Sequence, residues 1–157
     1  RLRRRQWMLL GVIFLFLGID ESVQIHERVS PQVARVVDLS GPLHFEWILP
    51  YSILLLVLAV FYCRFLLELP SDTRKRLIWA AVLYVGGALG CEMIEGAWVE
   101  DHGIDAVNQV MISIEEPLEL AGSVLCVRAL LLHIAQHLPG ARFAIGVSDR
   151  EKMDKRS

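Results

Sequence analysis

Residues 47–67 read WILPYSILLLVLAVFYCRFLL, with one charged side chain, Arg64, in the whole stretch. As a helix rising about 1.5 Å per residue, it would cover roughly 30 Å, the thickness of a bilayer's hydrocarbon core. Three further apolar runs, at about 7–24, 77–99 and 106–133, have a similar character. Lipid offers no partners to backbone N–H and C=O groups, so each run is expected to be a helix. Composition agrees: 54% of the 157 residues are hydrophobic, and the mean hydropathy is +0.45. The first run has no small-residue cleavage site and leads into three more spans, so it reads as a retained helix and not a signal peptide.

Charge placement orients these spans. Basic residues cluster in RLRRR (1–5), in TRKR (73–76) and in the tail DREKMDKRS (149–157); Arg28 and Arg35 alone fall on the other side. The excess of Lys and Arg in short cytoplasmic segments then places both termini in the cytoplasm. Trp7 and Trp79 mark that interface, and Trp47 and Trp98 the outer one. The fold class expected is all-α, an integral membrane four-helix bundle in up-down-up-down order. Residues 1–137 would be the four-span domain. Residues 138–157 would be a cytoplasmic interfacial segment and charged tail. In the first outer loop, SPQVARVVDLSGP (30–42) opens with a Ser-Pro signal and puts Val33, Val36 and Val37 on one face. It is expected to hold a short amphipathic helix. Cys63, Cys91 and Cys126 are isolated and suggest no pairing.

Acids lie where such a bundle can least tolerate them. Measured along each helix from its cytoplasmic end, Asp20 and Glu21, Glu92, and Glu119 all lie roughly 20 Å up. Glu95, Glu115, Glu116, His26 and Glu27 form a second tier slightly further out. Glu115 and Glu119 are i,i+4 and share a stripe with Asn108, Gly122, Cys126 and His133; Glu92 and Glu95 are i,i+3. Asp20, Gln24 and Glu27 line up if the first helix continues that far. Pro117 removes a backbone hydrogen bond to the Ser113 carbonyl beside these acids. No Lys or Arg lies at this depth. Crowded carboxylates in a low dielectric need a bound cation, protonation and mutual hydrogen bonds, or a water-filled cavity.

The candidate metal ligands are therefore Asp20, Glu21, His26, Glu27, Glu92, Glu95, Glu115 and Glu119. Acid-rich ligation with an imidazole suits zinc, manganese or iron, and an all-oxygen set suits calcium or magnesium. The E-x-x-H pairs of di-iron bundles are missing, so that site is not claimed. Neither haem nor a nucleotide is expected, since no histidine lies well inside a span. Gly86 and Gly90 form a small-x-x-x-small pair away from the acids, a face for a close helix neighbour within the bundle or from another subunit. The basic clusters are topology signals and give no support for nucleic-acid binding. LGIDESVQIHERV, GCEMIEG and SIEEPLELAGSVLCVRALLLHI resemble a group of small four-span bacterial inner-membrane proteins with a D-E…H-E, E-x-x-E and E-E-x-x-E pattern. The resemblance implies that Asp20, Glu21, His26, Glu27, Glu92, Glu115, Glu116 and Glu119 form one constellation. Two functions are carried forward. One is a periplasm-facing cation or metal site, as in a small metal-dependent membrane enzyme. The other is an accessory subunit of a larger respiratory, photosynthetic or transport complex.

Overall fold

The computed structural model describes residues 2–137, and the expected cytoplasmic tail lies outside them. Helix α1 covers Leu2–Val23, α2 Ile25–Val33, α3 Ile48–Glu68, α4 Ser71–Val85, α5 Glu92–His102 and α6 Ala106–His137. A π-helical segment, Gly86–Cys91, joins α4 to α5, and a 3-10 turn at Gly41–Leu43 precedes α3. No strand occurs among the described residues. Four helical stretches are long and apolar enough to cross a membrane: Arg4–Val23, Ile48–Glu68, Ser71–His102 and Ala106–His137. Their outward surfaces carry Leu15, Leu56, Val60, Trp79 and Val124, all more than half exposed. A hydrocarbon surround would cover such a surface.

The close contact is between α6 and α4 with its π segment. Without a hydrophobic force between helices in lipid, small residues that let backbones approach become decisive. Gly122 of α6 lies against the backbone of Tyr84, and Gly87 lies against Glu115 and Glu119. Gly86 and Gly90 have nothing within 4 Å among the described residues. The close helix neighbour expected there within the bundle is therefore met elsewhere, at Gly87 and Gly122. Counting at 100° per residue puts Gly87 on the same face as Leu77, Ala80 and Tyr84, the face of α4 that packs on α6.

At one end the start of α1, the end of α3, the start of α4 and the end of α6 meet. Trp7 lies edge-on to Phe65 at 5.0 Å between centroids, and 5.3 Å from the His133 ring. Buried Thr73 is hydrogen-bonded to His133 at 3.0 Å, and the Tyr62 hydroxyl donates to the Gln6 carbonyl at 2.9 Å. Tyr62, Phe65, Leu69, Leu77, Ala80, Cys126 and Ala129 form the apolar core here. Towards the other end α1 packs more sparsely, and the helices enclose space instead.

The turn between α5 and α6 is fixed by Asp105. Its carboxylate accepts the backbone N–H groups of Asn108 at 3.0 Å and Val107 at 2.9 Å, and the indole N–H of Trp98 at 3.1 Å. This is an N-cap with a side-chain clamp. The Asn108 N–H, foremost, holds the carboxyl below the ordinary aspartate value of 3.8. A depressed folded-state value stabilises the protein above the unfolded one and is lost as pH falls through the folded one. Amide exchange in the first turn of α6 is thus expected to quicken on acidification below 3.8, relative to mid-α6. Asp105→Ala should already show quick exchange at neutral pH and no acid dependence there. An unchanged acid dependence in that variant would remove Asp105 as its source.

Candidate functional site

α1 ends because Gln24 takes the left-handed conformation, φ 52° and ψ 54°. The expected continuation of the first helix to Glu27 is therefore broken. A separate short helix, α2, follows the break and has Pro31 inside it. The break has a chemical consequence. On an unbroken helix, residues 20 and 26 would lie roughly 120° apart. Turning the chain at Gln24 brings His26 back onto Asp20. A non-glycine residue in this region is uncommon and points to a constrained position.

Asp20 is 6% exposed and its carboxylate is saturated. Oδ1 accepts the His26 backbone N–H at 3.1 Å and the Tyr51 hydroxyl at 2.8 Å, and Oδ2 lies 2.9 Å from His26 Nδ1. The His26 ring also packs on Trp47, 4.8 Å between centroids. Trp47 is held in turn by its N–H to Ser30 Oγ at 3.1 Å. Nδ1 of His26 is thus committed, and Nε2 has no hydrogen-bond partner among the described residues.

These groups form one wall of a cavity of about 910 Å³. All eight sequence-derived candidates line it: Asp20 and Glu21 from α1, His26 and Glu27 from α2, Glu92 and Glu95 from α5, Glu115 and Glu119 from α6. Glu116 lines it too. Helix-depth arithmetic thus put on one level acids that do line one cavity, although the turn at Gln24 and the π segment before Glu92 were not foreseen. The π segment contains Gly87, which meets α6, and ends immediately before Glu92, the first cavity acid of α5; single π turns often accompany functional positions. Glu95 is buried and accepts a hydrogen bond from the Asn108 side chain, which ties α5 to α6.

The spatial roles are not equal. Asp20 is occupied in orienting His26 and holding Tyr51. Glu27 accepts a hydrogen bond from the Gln24 side chain at 3.0 Å. Glu21, Glu92, Glu115, Glu116 and Glu119 have no hydrogen-bond or ion-pair partner among the described residues. Among those residues no three His, Cys, Asp or Glu side chains are drawn together as metal ligands; the carboxylates stand around an open space. Sequence reading missed Trp47, Tyr51 and Tyr84 as cavity residues. Trp47, Tyr51 and Leu55 are spaced i,i+4, which would have put the two rings on one face with the apolar lining.

The loop before α3 packs on α5 at the end of the bundle that holds these acids. Gly41 donates its N–H to Glu100, and Gly96 of α5 leaves room for His44, whose Cβ would be 3.1 Å from a side chain there. No curated protein and no solved structure matches the chain. A family model does match, over residues 1–134, and by it the chain belongs to the family described as a domain of unknown function, DUF8692.

Proposed function

We propose that this is a multi-pass protein of the bacterial inner membrane, with both termini cytoplasmic, spans in up-down-up-down order and a cavity that binds a divalent or transition-metal cation from the periplasmic side. One observation carries the reading: His26 is held through Nδ1 by Asp20, which leaves Nε2 free on a ring that lines an acid-walled cavity. Metal-binding histidines characteristically give their other ring nitrogen to a carboxylate, which fixes tautomer and orientation. Asp20 is accordingly an orienting residue, and His26 with Glu92, Glu115 and Glu119 forms the ligand set. The glutamates reach the ion by rotation about their side-chain bonds. A bound cation relieves the repulsion among carboxylates that no Lys or Arg of the cavity wall offsets. An ion so held is a Lewis acid, able to polarise an oxygen of a substrate or lower the pKa of bound water.

The test is equilibrium binding of Mn²⁺ and Zn²⁺ to the purified protein in neutral lipid nanodiscs, for wild type and Glu119→Gln. The variant keeps the size and polarity of the side chain and removes one negative ligand. Losing even an outer partner of a metal ligand weakens binding about 10–100-fold, so at least that loss is expected. A wild type that binds neither ion, or a variant that binds as well, refutes the reading.

Orientation has its own test. Ser40→Cys should react with an impermeant thiol reagent added from the periplasmic side, and Ser71→Cys should not, each above the background of the native cysteines. The reverse pattern would turn the cavity towards the cytoplasm.

A second reading also has an observation behind it. The Gly86 and Gly90 face is open among the described residues and suits a closely packed helix of another subunit. In that reading the chain is an accessory subunit of a larger membrane complex, and its acids are structural or form a proton path. It predicts purification with partner subunits and without metal.

A further inference from the structure

The cavity is larger than a cation needs, and its two ends differ in chemistry. The acids and His26 occupy the outer end. From there the space continues between α1 and α3 past Leu17, Leu55 and Ile13 as far as Leu9. On α1 that is eleven residues beyond Asp20, roughly 16 Å of helix. Tyr84 is the one polar side chain beside this limb; the remainder is aliphatic or Phe16. A space lined this way has no partners for water, and leaving it empty forfeits packing contacts along its whole length. An alkyl chain from the surrounding bilayer supplies those contacts.

We infer that the cavity takes a single-chain amphiphile with a cationic head, of the long-chain amine class, with its chain in the limb and its ammonium among the carboxylates. The volume, about 910 Å³, lies within the range of pockets for one small molecule. The charge decides the head. Eight carboxylates and no Lys or Arg line the cavity, so a phosphate or carboxylate head would add repulsion in a low dielectric. Trp47 and Tyr51 line the cavity beside His26, where aromatic faces favour an ammonium. The inference rests on the cation-binding reading, since metal and ammonium would compete for the same acids.

Trp47 provides the readout. In neutral phosphatidylcholine nanodiscs, chain-brominated dodecylamine is expected to quench tryptophan fluorescence saturably, with the saturable part absent in Trp47→Phe. The corresponding brominated dodecanoic acid should quench only in proportion to its partition into lipid, and butylamine should not displace the amine. Leu17→Phe with Leu55→Phe fills the limb without touching an acid. It should weaken amine binding roughly tenfold or more, the equivalent of about two methylenes left unburied, and leave Mn²⁺ affinity unchanged. Dodecylamine should also release bound Mn²⁺ from the wild type, a measurement that needs no variant. Mn²⁺ binding without saturable amine binding overturns this inference and leaves the metal reading intact. Equal behaviour of amine and acid, or butylamine binding as tightly as dodecylamine, overturns it as well. Binding of neither ion nor amine removes both readings.

Discussion

Gly122→Ala is expected to pull α4 away from α6 and cost the protein about 3 kcal/mol or more, the upper range for overpacking a close contact. A Cβ at position 122 would stand 2.5 Å from the Tyr84 backbone nitrogen, 2.7 Å from its Cβ and 2.8 Å from its Cα. Two of those atoms belong to the backbone, so no rotamer change relieves the clash, and one helix must shift. The α4–α6 contact is the most extensive among the described residues, and Tyr84 lines the cavity. The same shift therefore carries Glu92 away from Glu119. Denaturant unfolding in detergent, followed by circular dichroism, measures the loss. Gly18→Ala is the control. Nothing lies within 4 Å of its added methyl, and alanine favours a helix over glycine by about 1 kcal/mol, so that variant should be silent or slightly more stable. If Gly122→Ala unfolds at the wild-type midpoint, the close α4–α6 approach is not what holds the bundle.

The contrast between Gly122 and the Gly86–Gly90 pair indicates how far the chain could be read in advance. Spans follow from length and hydropathy, which are insensitive to fine geometry, and all four candidate spans coincide with helices. Depth is nearly as robust, because an error of one residue moves a side chain only about 1.5 Å along the axis. That is why acids from separate helices could be assigned to one level and do line one cavity. Faces are fragile, since an error of one residue turns a side chain by about 100°. In α6, which is α-helical throughout, the face holds: Asn108, Gly122 and Cys126 are buried on the predicted stripe. In the third span Gly87, one residue from Gly86 and on the face of Leu77, Ala80 and Tyr84, meets α6 in place of Gly86 or Gly90. The left-handed turn at Gln24 was not legible, because glutamine carries no turn signal. With it went the pairing of His26 with Asp20, a contact between residues that an unbroken helix would separate.

That contact gives the sharpest test of the site. Asp20→Asn should weaken Mn²⁺ and Zn²⁺ binding about 10–100-fold, the cost of losing the partner that orients a metal-binding histidine, while leaving every proposed ligand in place. The direction follows from hydrogen-bond polarity. The Asp20 oxygen that accepts the His26 backbone N–H and the Tyr51 hydroxyl must remain an oxygen, since both groups donate. The amide nitrogen of asparagine is then forced to the other position, 2.9 Å from Nδ1. An amide N–H there donates, so Nδ1 must accept, and the imidazole proton moves to Nε2. A protonated Nε2 cannot bind a cation. Tyr51→Phe removes one bond to Asp20 but leaves the Asp20–His26 pair and its tautomer, so its effect on affinity should be several-fold smaller. Both variants should lose some stability, because each leaves a half-buried polar group less well satisfied. Affinity and unfolding midpoint, measured on the same preparations, separate the two roles. If Asp20→Asn lowers the midpoint and binds metal like the wild type, the Asp20–His26–Tyr51 cluster is a structural clasp between α1, α2 and α3, and His26 is not a ligand.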